Sequence, residues 1–164
     1  MYSPPRVSSS GLVAFAILHH VATFLYHGAT VAMLFMRHSD DLLLCSLLAV
    51  LFWIPMITFD SLILHRGWSA VQDGQADVTP GKAVGLGFIP FFGLYWNFVA
   101  HYGLMRQFNR LAEGRGRPDQ KGTEGLALTY AILMATICLE PLGRIFRIVT
   151  IWQTIGAVKD VENA

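Results

Sequence analysis

Residues 42–64 read LLLCSLLAVLFWIPMITFDSLIL, an apolar run that contains one acidic residue, Asp60, and no basic one. A helix needs roughly 20 mainly apolar residues to cross the hydrocarbon core of a bilayer, so this run is long enough to span a membrane. Three further apolar runs cover residues 11–36, 83–105 and about 126–141. The sequence therefore predicts an all-α integral membrane four-helix bundle, a single transmembrane domain over residues 1–164. An amphipathic, interfacial or continued helix is predicted at about 142–160.

The composition predicts that most of the surface faces the lipid bilayer. The chain is 54% hydrophobic and 14% charged, whereas a soluble domain carries roughly 25% charged residues. The net charge of +1 includes no block of like charges, which argues against nucleic-acid binding. The first apolar run is longer than the roughly 7–15 residues of a signal-peptide core, so we interpret it as a retained first span.

The short polar link at 37–41 predicts that spans one and two are antiparallel neighbours. The two cysteines, Cys45 and Cys138, fall at different depths of their spans and are predicted to be free thiols. The basic residues divide evenly between the two sides of the predicted bundle, so the positive-inside rule gives no orientation.

Each predicted span carries its few polar residues at helical spacing. Such residues hydrogen-bond across helices and let them approach closely, which explains most of this pattern by packing alone. The four groups are His20, Thr23, His27 and Thr30; Ser46, Trp53 and Asp60; Gly93, Asn97 and His101; and Thr129, Thr136, Glu140, Arg144 and Arg147.

The ionisable members of these groups are costly inside a membrane, at about 2.5–3.5 kcal/mol each on insertion scales. Asp60 and Glu140 are predicted at similar depth, and Arg144 and Arg147 follow Glu140 at i+4 and i+7. One interpretation is a buried ion-pair cluster that fixes how spans two and four dock. The other is a proton, ion or small-solute path through Asp60 and Glu140.

The histidines allow a second functional hypothesis. His27 and His101 are predicted at nearly equal depth, as in helix bundles that hold a b-type haem between two axial imidazoles. Haem b is the one cofactor that the sequence suggests. No catalytic motif or metal-ligand spacing is found, so the sequence predicts neither an enzyme nor a metal site.

The most distinctive text is TPGKAVGLGFIPFFGLYWNFVAHYGLMRQFNR, residues 79–110. It resembles a segment of uncharacterised bacterial multi-span integral membrane proteins, in which a Pro-Gly-Lys start leads into a helix of the type AVGFLFIPFFNLYWxF. The residues that carry the resemblance are Pro80, Gly81, Lys82, Ala83, Val84, Gly85, Ile89, Pro90, Phe91, Phe92, Tyr95, Trp96, Phe98, Gly103, Leu104 and Asn109. Gly93 stands where the resembling proteins usually have Asn. The resemblance implies a bacterial inner-membrane location, and it implies no activity.

Within that segment Pro90 removes a backbone donor in mid-span. With Gly93 and the glycines before it, Pro90 predicts a kinked third helix that packs tightly against its neighbours. A ligand groove at the kink is the alternative.

Together these observations predict a small, non-enzymatic, multi-pass protein of the bacterial inner membrane. We expect it to act as a component of a membrane assembly, through a membrane protein partner or self-association. Transport through Asp60 and Glu140 is the first alternative, and haem-based electron transfer through His27 and His101 is the second.

Overall fold

A computed structural model of the chain describes residues 9–135 and 140–163, and over these residues the protein is all-helical with no strand. The all-α prediction is confirmed for this part of the chain. Its α-helices are α1 Ser9–Met33, α2 Ser39–Ala70, α3 Pro80–Gly85, α4 Phe92–Asn97, α5 Gly103–Gly114, α6 Glu124–Ala135 and α7 Glu140–Glu162. Short 3₁₀-helices cover Leu86–Phe88 and Pro118–Gln120, and a π-helical turn covers Phe98–Tyr102.

The chain forms two compact units. The hairpin unit is Val13–Leu62, which holds most of α1 and α2. The C-terminal unit combines Met1–Leu12 with Ile63–Ala164 and contains α3 to α7.

The hairpin unit pairs two long antiparallel helices, as the short link predicts. The rings of Phe15 and Phe59 stack at 6.0 Å, and one turn along the pair the buried His19 donates from Nδ1 to the carbonyl oxygen of Met56 at 3.1 Å. Asp40 and Asp41 occupy the first turn of α2, where negative charge favours the helix dipole. The carboxylates therefore help to begin α2 directly after the turn.

Two helices are long and apolar enough to cross a membrane, by length and composition: Ser10–Met33 and Ser39–Ala70. A further apolar helix, Glu124–Met134, is shorter. Both long helices carry large apolar side chains on their surface: Phe24 on α1 is 78% exposed, and Leu43 on α2 is 62% exposed. Membrane association is therefore supported at the level of these two helices.

The predicted third span, 83–105, is not one continuous helix. The chain runs through α3 and a 3₁₀ turn, breaks at Ile89–Phe91, and resumes as α4, a π-helical turn and α5. At the break Phe91 has φ 60° and ψ −45°, and the N–H of Phe92 donates to the carbonyl of Pro90 at 2.7 Å, which closes a γ-turn. Pro90 therefore ends one helical arm and starts another, where the sequence predicts a kink.

The two arms fold back on one another. Trp96 Nε1 donates to the carbonyl oxygen of Ala83 at 3.0 Å, and a Cβ at Gly93 would lie 2.3 Å from the carbonyl oxygen of Gly87. The tight packing predicted at Pro90 and Gly93 is therefore present, but it joins two arms of a helical hairpin. A residue with a side chain would not fit at Gly93 in this arrangement.

The predicted fourth run, 126–141, divides between α6 and α7. Residues 136–139, which include Thr136 and Cys138, lie outside the described part of the chain. Gly143 on α7 approaches Leu133 and Met134 on α6, and Arg147 approaches Tyr130, so the two helices run antiparallel. Pro141 is the second residue of α7, within the first turn, where proline is tolerated. The continued or interfacial helix predicted at about 142–160 is therefore a helix that packs back along α6.

Candidate functional site

A buried polar cluster joins three helical elements of the C-terminal unit. This arginine cluster consists of His101 on the π-helical turn, Tyr130 on α6, and Arg147 and Thr150 on α7, and each side chain is at least nine-tenths buried. Arg147 Nη1 donates to His101 Nδ1 at 3.2 Å and to Thr150 Oγ1 at 3.4 Å. The guanidinium carbon lies 5.1 Å from the centre of the Tyr130 ring, within cation–π range.

The contact with Arg147 determines the tautomer of His101. A guanidinium only donates hydrogen bonds, so His101 Nδ1 accepts, and the neutral ring carries its hydrogen on Nε2. Tyr130 packs edge-on against the same ring, at 4.9 Å between centres and 90° between planes. A haem ligand normally binds through one ring nitrogen and donates the other N–H, so this arrangement is suited to docking helices rather than to axial ligation.

Neighbouring contacts hold the backbone around the cluster. Trp68, which is 1% exposed, donates from Nε1 to the carbonyl oxygen of Ala100, the residue before His101. Gly67 lies so close to Leu104 and Thr154 that an added Cβ would be 2.7 and 3.0 Å from their side chains. The end of α2 therefore packs against both α5 and α7, within the C-terminal unit. The π-helical turn has an unusual hydrogen-bond pattern, and such turns are frequent at functional sites.

A polar cleft of about 320 Å³ lies elsewhere on the C-terminal unit. Its seven lining residues are Asp77, Arg106, Gln107, Asn109, Arg110, Glu113 and Glu124. One wall carries the bond from Gln107 Nε2 to Asp77 Oδ2 at 2.7 Å. The other carries the bond from Asn109 Nδ2 to Glu124 Oε1 at 2.8 Å.

Asn109 also fixes the start of α6. Its Oδ1 accepts the N–H of Gly122 at 2.8 Å, and its Nδ2 donates to the carbonyl of the same residue at 3.2 Å. The amide therefore fastens the loop before α6 onto α5. The acidic wall at Glu124 is consequently held in place by α5.

Arg110 fastens the loop after α2 to the floor of the cleft. Its Nη2 contacts both carboxylate oxygens of Asp73 at 2.9 Å, and its Nη1 donates to the carbonyl and side-chain oxygens of Gln75 at 3.2 Å. Partial burial raises the pKa of Asp73, but the Gln75 N–H and the Arg110 guanidinium lower it by more. The pKa therefore falls below its ordinary value of 3.8.

Two buried polar atoms of the cleft residues have no hydrogen-bond partner within the described part of the chain. They are Oε1 of Gln107, a side chain that is 6% exposed overall, and Nε of Arg110. One is an acceptor and the other a donor, and both belong to the same face of α5. The cleft residues therefore include one buried acceptor and one buried donor that this part of the chain leaves unsatisfied.

The site residues predicted from sequence are divided between the two units. His27 and Asp60 belong to the hairpin unit and are half-buried, whereas His101, Arg144 and Arg147 belong to the C-terminal unit. Glu140 begins α7, and its side chain lies outside what the structure describes. The ion-pair, ion-path and haem assignments therefore remain predictions.

Two of the predicted polar faces are oriented differently from the expectation. In α1 the fully buried histidine is His19 rather than His20, and its Nε2 accepts from Thr23 at 3.4 Å. Its signal in the sequence is the spacing with Ala16 and Ala22, two small residues that are also buried. In α2 the predicted inward residues Ser46 and Trp53 are exposed. Cys45 is a free thiol, as predicted.

The sequence predicts partner contact through the connection 106–125 or the amphipathic tail, and six of the seven cleft residues fall in that connection. The cleft itself is not predicted, because its shape depends on how the connections pack. The available signal was the charged face of α5, where Arg106, Arg110 and Glu113 recur at helical spacing. Among the described residues no group of three or more His, Cys, Asp or Glu side chains could hold a metal ion. No protein-family model, curated protein or solved structure matches this chain.

Proposed function

We propose that the protein is an integral protein of the bacterial inner membrane that works as a non-enzymatic, partner-binding component of a membrane assembly. The observation that carries the membrane part is the apolar surface of the hairpin unit. Fully burying a large apolar side chain contributes about 1.5–3 kcal/mol, and soluble proteins rarely expose continuous apolar patches of this kind. We therefore propose that this apolar surface is exposed to lipid rather than to water. The bacterial origin rests on the resemblance of residues 79–110.

Helix lengths favour two complete crossings rather than the four expected from sequence. At 1.5 Å per residue, the 25 residues of α1 extend about 37 Å and the 32 of α2 about 48 Å. Both exceed the roughly 30 Å of the hydrocarbon core. The 12 residues of α6 extend only about 18 Å, and the run at 83–105 is divided at Pro90. We therefore propose that α1 and α2 cross the membrane and that α3 to α7 form a unit attached to the end of α2.

The partner-binding part rests on the polar cleft. An unsatisfied buried donor or acceptor costs about 1–3 kcal/mol, and the cleft contains one of each, on Arg110 and Gln107. Beside these buried atoms the cleft presents the charged side chains of Arg106, Glu113 and Glu124, to which the polar groups of a partner can hydrogen-bond. The cleft offers hydrogen-bonding side chains without an activated nucleophile, which favours recognition over catalysis.

Membrane insertion is tested by washing isolated membranes with alkaline carbonate and then with a mild detergent. We expect the protein to stay in the pellet after carbonate and to dissolve in detergent. Release by carbonate alone would show that the hairpin unit does not cross the bilayer.

Partner binding is tested by placing a photo-crosslinking amino acid at Arg106 in the cleft and, as a matched exposed control, at Asp119. We expect a discrete crosslinked species from position 106 that is absent from position 119. If both positions yield only the uncrosslinked chain at native expression level, the cleft is not a docking site.

The two alternatives are tested on the same purified material. A Soret band that disappears in His27→Ala or His101→Ala would replace our proposal with haem-based electron transfer. Loss of ion flux in vesicles of a folded Asp60→Asn variant would replace it with transport.

A further inference from the structure

The apex of the helical hairpin formed by α3 and α4 combines exposed apolar side chains with an unusual backbone conformation. We define the apolar tip as residues 88–92, with the sequence FIPFF. Phe91 is 89% exposed, Phe88 is 59% exposed, and Ile89 and Phe92 are also exposed. Four large apolar side chains therefore lie on the surface at one turn of the C-terminal unit.

The backbone of the tip is strained at its most exposed residue. Phe91 is the one non-glycine residue with positive φ in the described part of the chain. Its φ and ψ are those of a γ-turn, a backbone conformation that non-glycine residues rarely adopt. Such strain persists where other interactions compensate for it. Packing within the chain contributes little at Phe91, because its side chain is almost wholly exposed.

The rest of the hairpin is firmly closed. The Trp96–Ala83 hydrogen bond and the contact between Gly93 and the Gly87 carbonyl hold the two arms together. The Phe92 ring stacks on the Trp96 ring at 5.7 Å, behind the tip. The closed hairpin therefore holds the strained turn in place and keeps its apolar side chains on the surface.

The composition of the segment indicates a lipid surface as the occupant. Residues 83–105 contain no Asp, Glu, Lys or Arg, and the nearest basic residues, Lys82 and Arg106, stand at the two ends. Tyr95, which is 61% exposed, follows the tip, and tyrosine is enriched where acyl chains meet headgroups. A protein interface would not require the whole segment to lack charge.

The length of the arm limits the depth of insertion. The arm from Pro80 to Phe88 extends about 15 Å, at 1.5 Å per α-helical residue and 2.0 Å per 3₁₀ residue, which is about half of the hydrocarbon thickness. Backbone groups at the tip are bonded locally: Ile89 to Leu86, Gly93 to Ile89 and Leu94 to Phe91, while Pro90 has no N–H. These bonds lower the cost of placing a turn at the edge of the hydrocarbon region.

We propose that the 88–92 tip is a shallow membrane-insertion element that places Phe88, Ile89, Phe91 and Phe92 among the acyl chains next to the headgroups. The proposal rests on the proposed function in requiring a membrane-bound protein, but it concerns a second lipid contact, made by the C-terminal unit. Lipid contact compensates for the strain at Phe91, and the rigid hairpin sets the depth.

The test uses the full chain with both native cysteines replaced by serine, reconstituted in vesicles of phosphatidylcholine and phosphatidylglycerol. A polarity-sensitive fluorophore is attached to one new cysteine at a time, at Phe88, Phe91, Phe24 on α1, or the exposed Asp119 of the 3₁₀-helix Pro118–Gln120. The substituted side chains at 88, 91 and 24 are all mainly exposed, so no packing is lost. Nitroxide lipids labelled near the headgroup or deep in the acyl chain serve as quenchers.

We expect labels at 88 and 91 to be quenched more by the shallow nitroxide than by the deep one, and the label at 119 to be quenched by neither. Quenching at 24 without quenching at 88 and 91 would overturn the tip proposal and leave the membrane proposal intact. Absence of quenching at all positions would overturn both. A fourth outcome is that nitroxide lipids do not quench the labels at 88 and 91, while the labels become protected from aqueous iodide as the protein concentration rises. That outcome would show that the tip contacts a second copy of the chain instead of lipid.

A matched pair of variants separates lipid contact from folding. Phe91→Gly removes the ring and accepts the positive φ without strain, whereas Phe91→Leu keeps an apolar side chain. We expect Phe91→Gly to melt at the same temperature as the parent chain or higher, and to lose quenching of the label at 88. Phe91→Leu should retain that quenching. Unchanged quenching in Phe91→Gly would show that the ring does not anchor the tip.

Discussion

Gly93→Ala should open the helical hairpin of α3 and α4, because this glycine is where their backbones meet. The added Cβ would lie 2.3 Å from the carbonyl oxygen of Gly87, whereas real Cβ contacts essentially never fall below 3.0 Å. The arms must therefore separate by at least about 0.7 Å, the difference between these two distances. The obstructing atom belongs to the backbone, so no side-chain rotation relieves the contact.

The size of the effect follows from what that separation breaks. The Trp96–Ala83 hydrogen bond lengthens from 3.0 Å to about 3.7 Å, beyond hydrogen-bonding range. Its loss costs about 0.5–1.5 kcal/mol, and forced overpacking typically costs about 1–3 kcal/mol. Alanine regains about 0.5–1 kcal/mol because it favours helix over glycine. The free energy of unfolding should therefore fall by roughly 1–3.5 kcal/mol.

Gly87→Ala is the matched control, since it adds the same methyl group to the facing residue on the opposite arm. A Cβ there meets nothing within 4 Å, so we expect no loss of stability. For a chain of this size, 1 kcal/mol corresponds to about 2–4 °C in melting temperature. Thermal unfolding in one detergent, followed by circular dichroism, should place Gly93→Ala about 2–14 °C below the parent chain and Gly87→Ala at or above it. Equal melting temperatures for the two variants would refute the close approach of the arms.

Three further predictions concern the C-terminal unit. Arg147→Met should lower the free energy of unfolding by about 1–3 kcal/mol, because it removes the guanidinium from His101 Nδ1; Arg106→Met, at an exposed position, should change it little in the same urea titration. Trp68→Phe should cost about 1–3 kcal/mol through the lost bond to the Ala100 carbonyl, whereas Trp53→Phe, at a side chain that is 45% exposed, should be nearly neutral. A similar loss in both tryptophan variants would contradict the assigned contact. Asp73→Asn should destabilise by at most about 1 kcal/mol at pH 7, since the Asp73–Arg110 pair is solvent-exposed. Because folding lowers the pKa of Asp73, its contribution is present above about pH 4 and is lost as the pH falls through the lowered value. Melting temperatures of parent and variant should therefore converge near pH 2, and a difference that persists there would contradict the ion pair.

Local physical preferences explain which predictions from the sequence agree with the structure. Long apolar runs predict α1 and α2, and a five-residue polar link leaves two such helices no arrangement other than an antiparallel hairpin. Pro90 marks the break of the third run, because proline lacks the donor that would continue the helix. These inferences depend on residues close together along the chain.

Helix orientation was predicted less well. Polar spacing alone does not distinguish an inward face from an exposed one when hydroxyl groups bond to their own helix. Ser46 is an example, since it donates to the carbonyl of Leu42 at 2.7 Å and remains exposed. The inward face of α1 is instead marked by Ala16, His19 and Ala22, where small residues allow close approach.

The sequence by itself determined the helical class, the two long apolar helices, and the positions where proline and polar links interrupt them. Only the tertiary structure decided that the chain folds back at Phe91, that Arg147 meets His101 and Tyr130, and that Gln107 and Glu124 line one cleft. The physical reason is the range of the interactions involved. Helix formation and apolar patterning are set within a few residues, whereas these contacts join positions from 6 to 46 residues apart. Their geometry depends on how the helices pack around the glycines and the buried tryptophan.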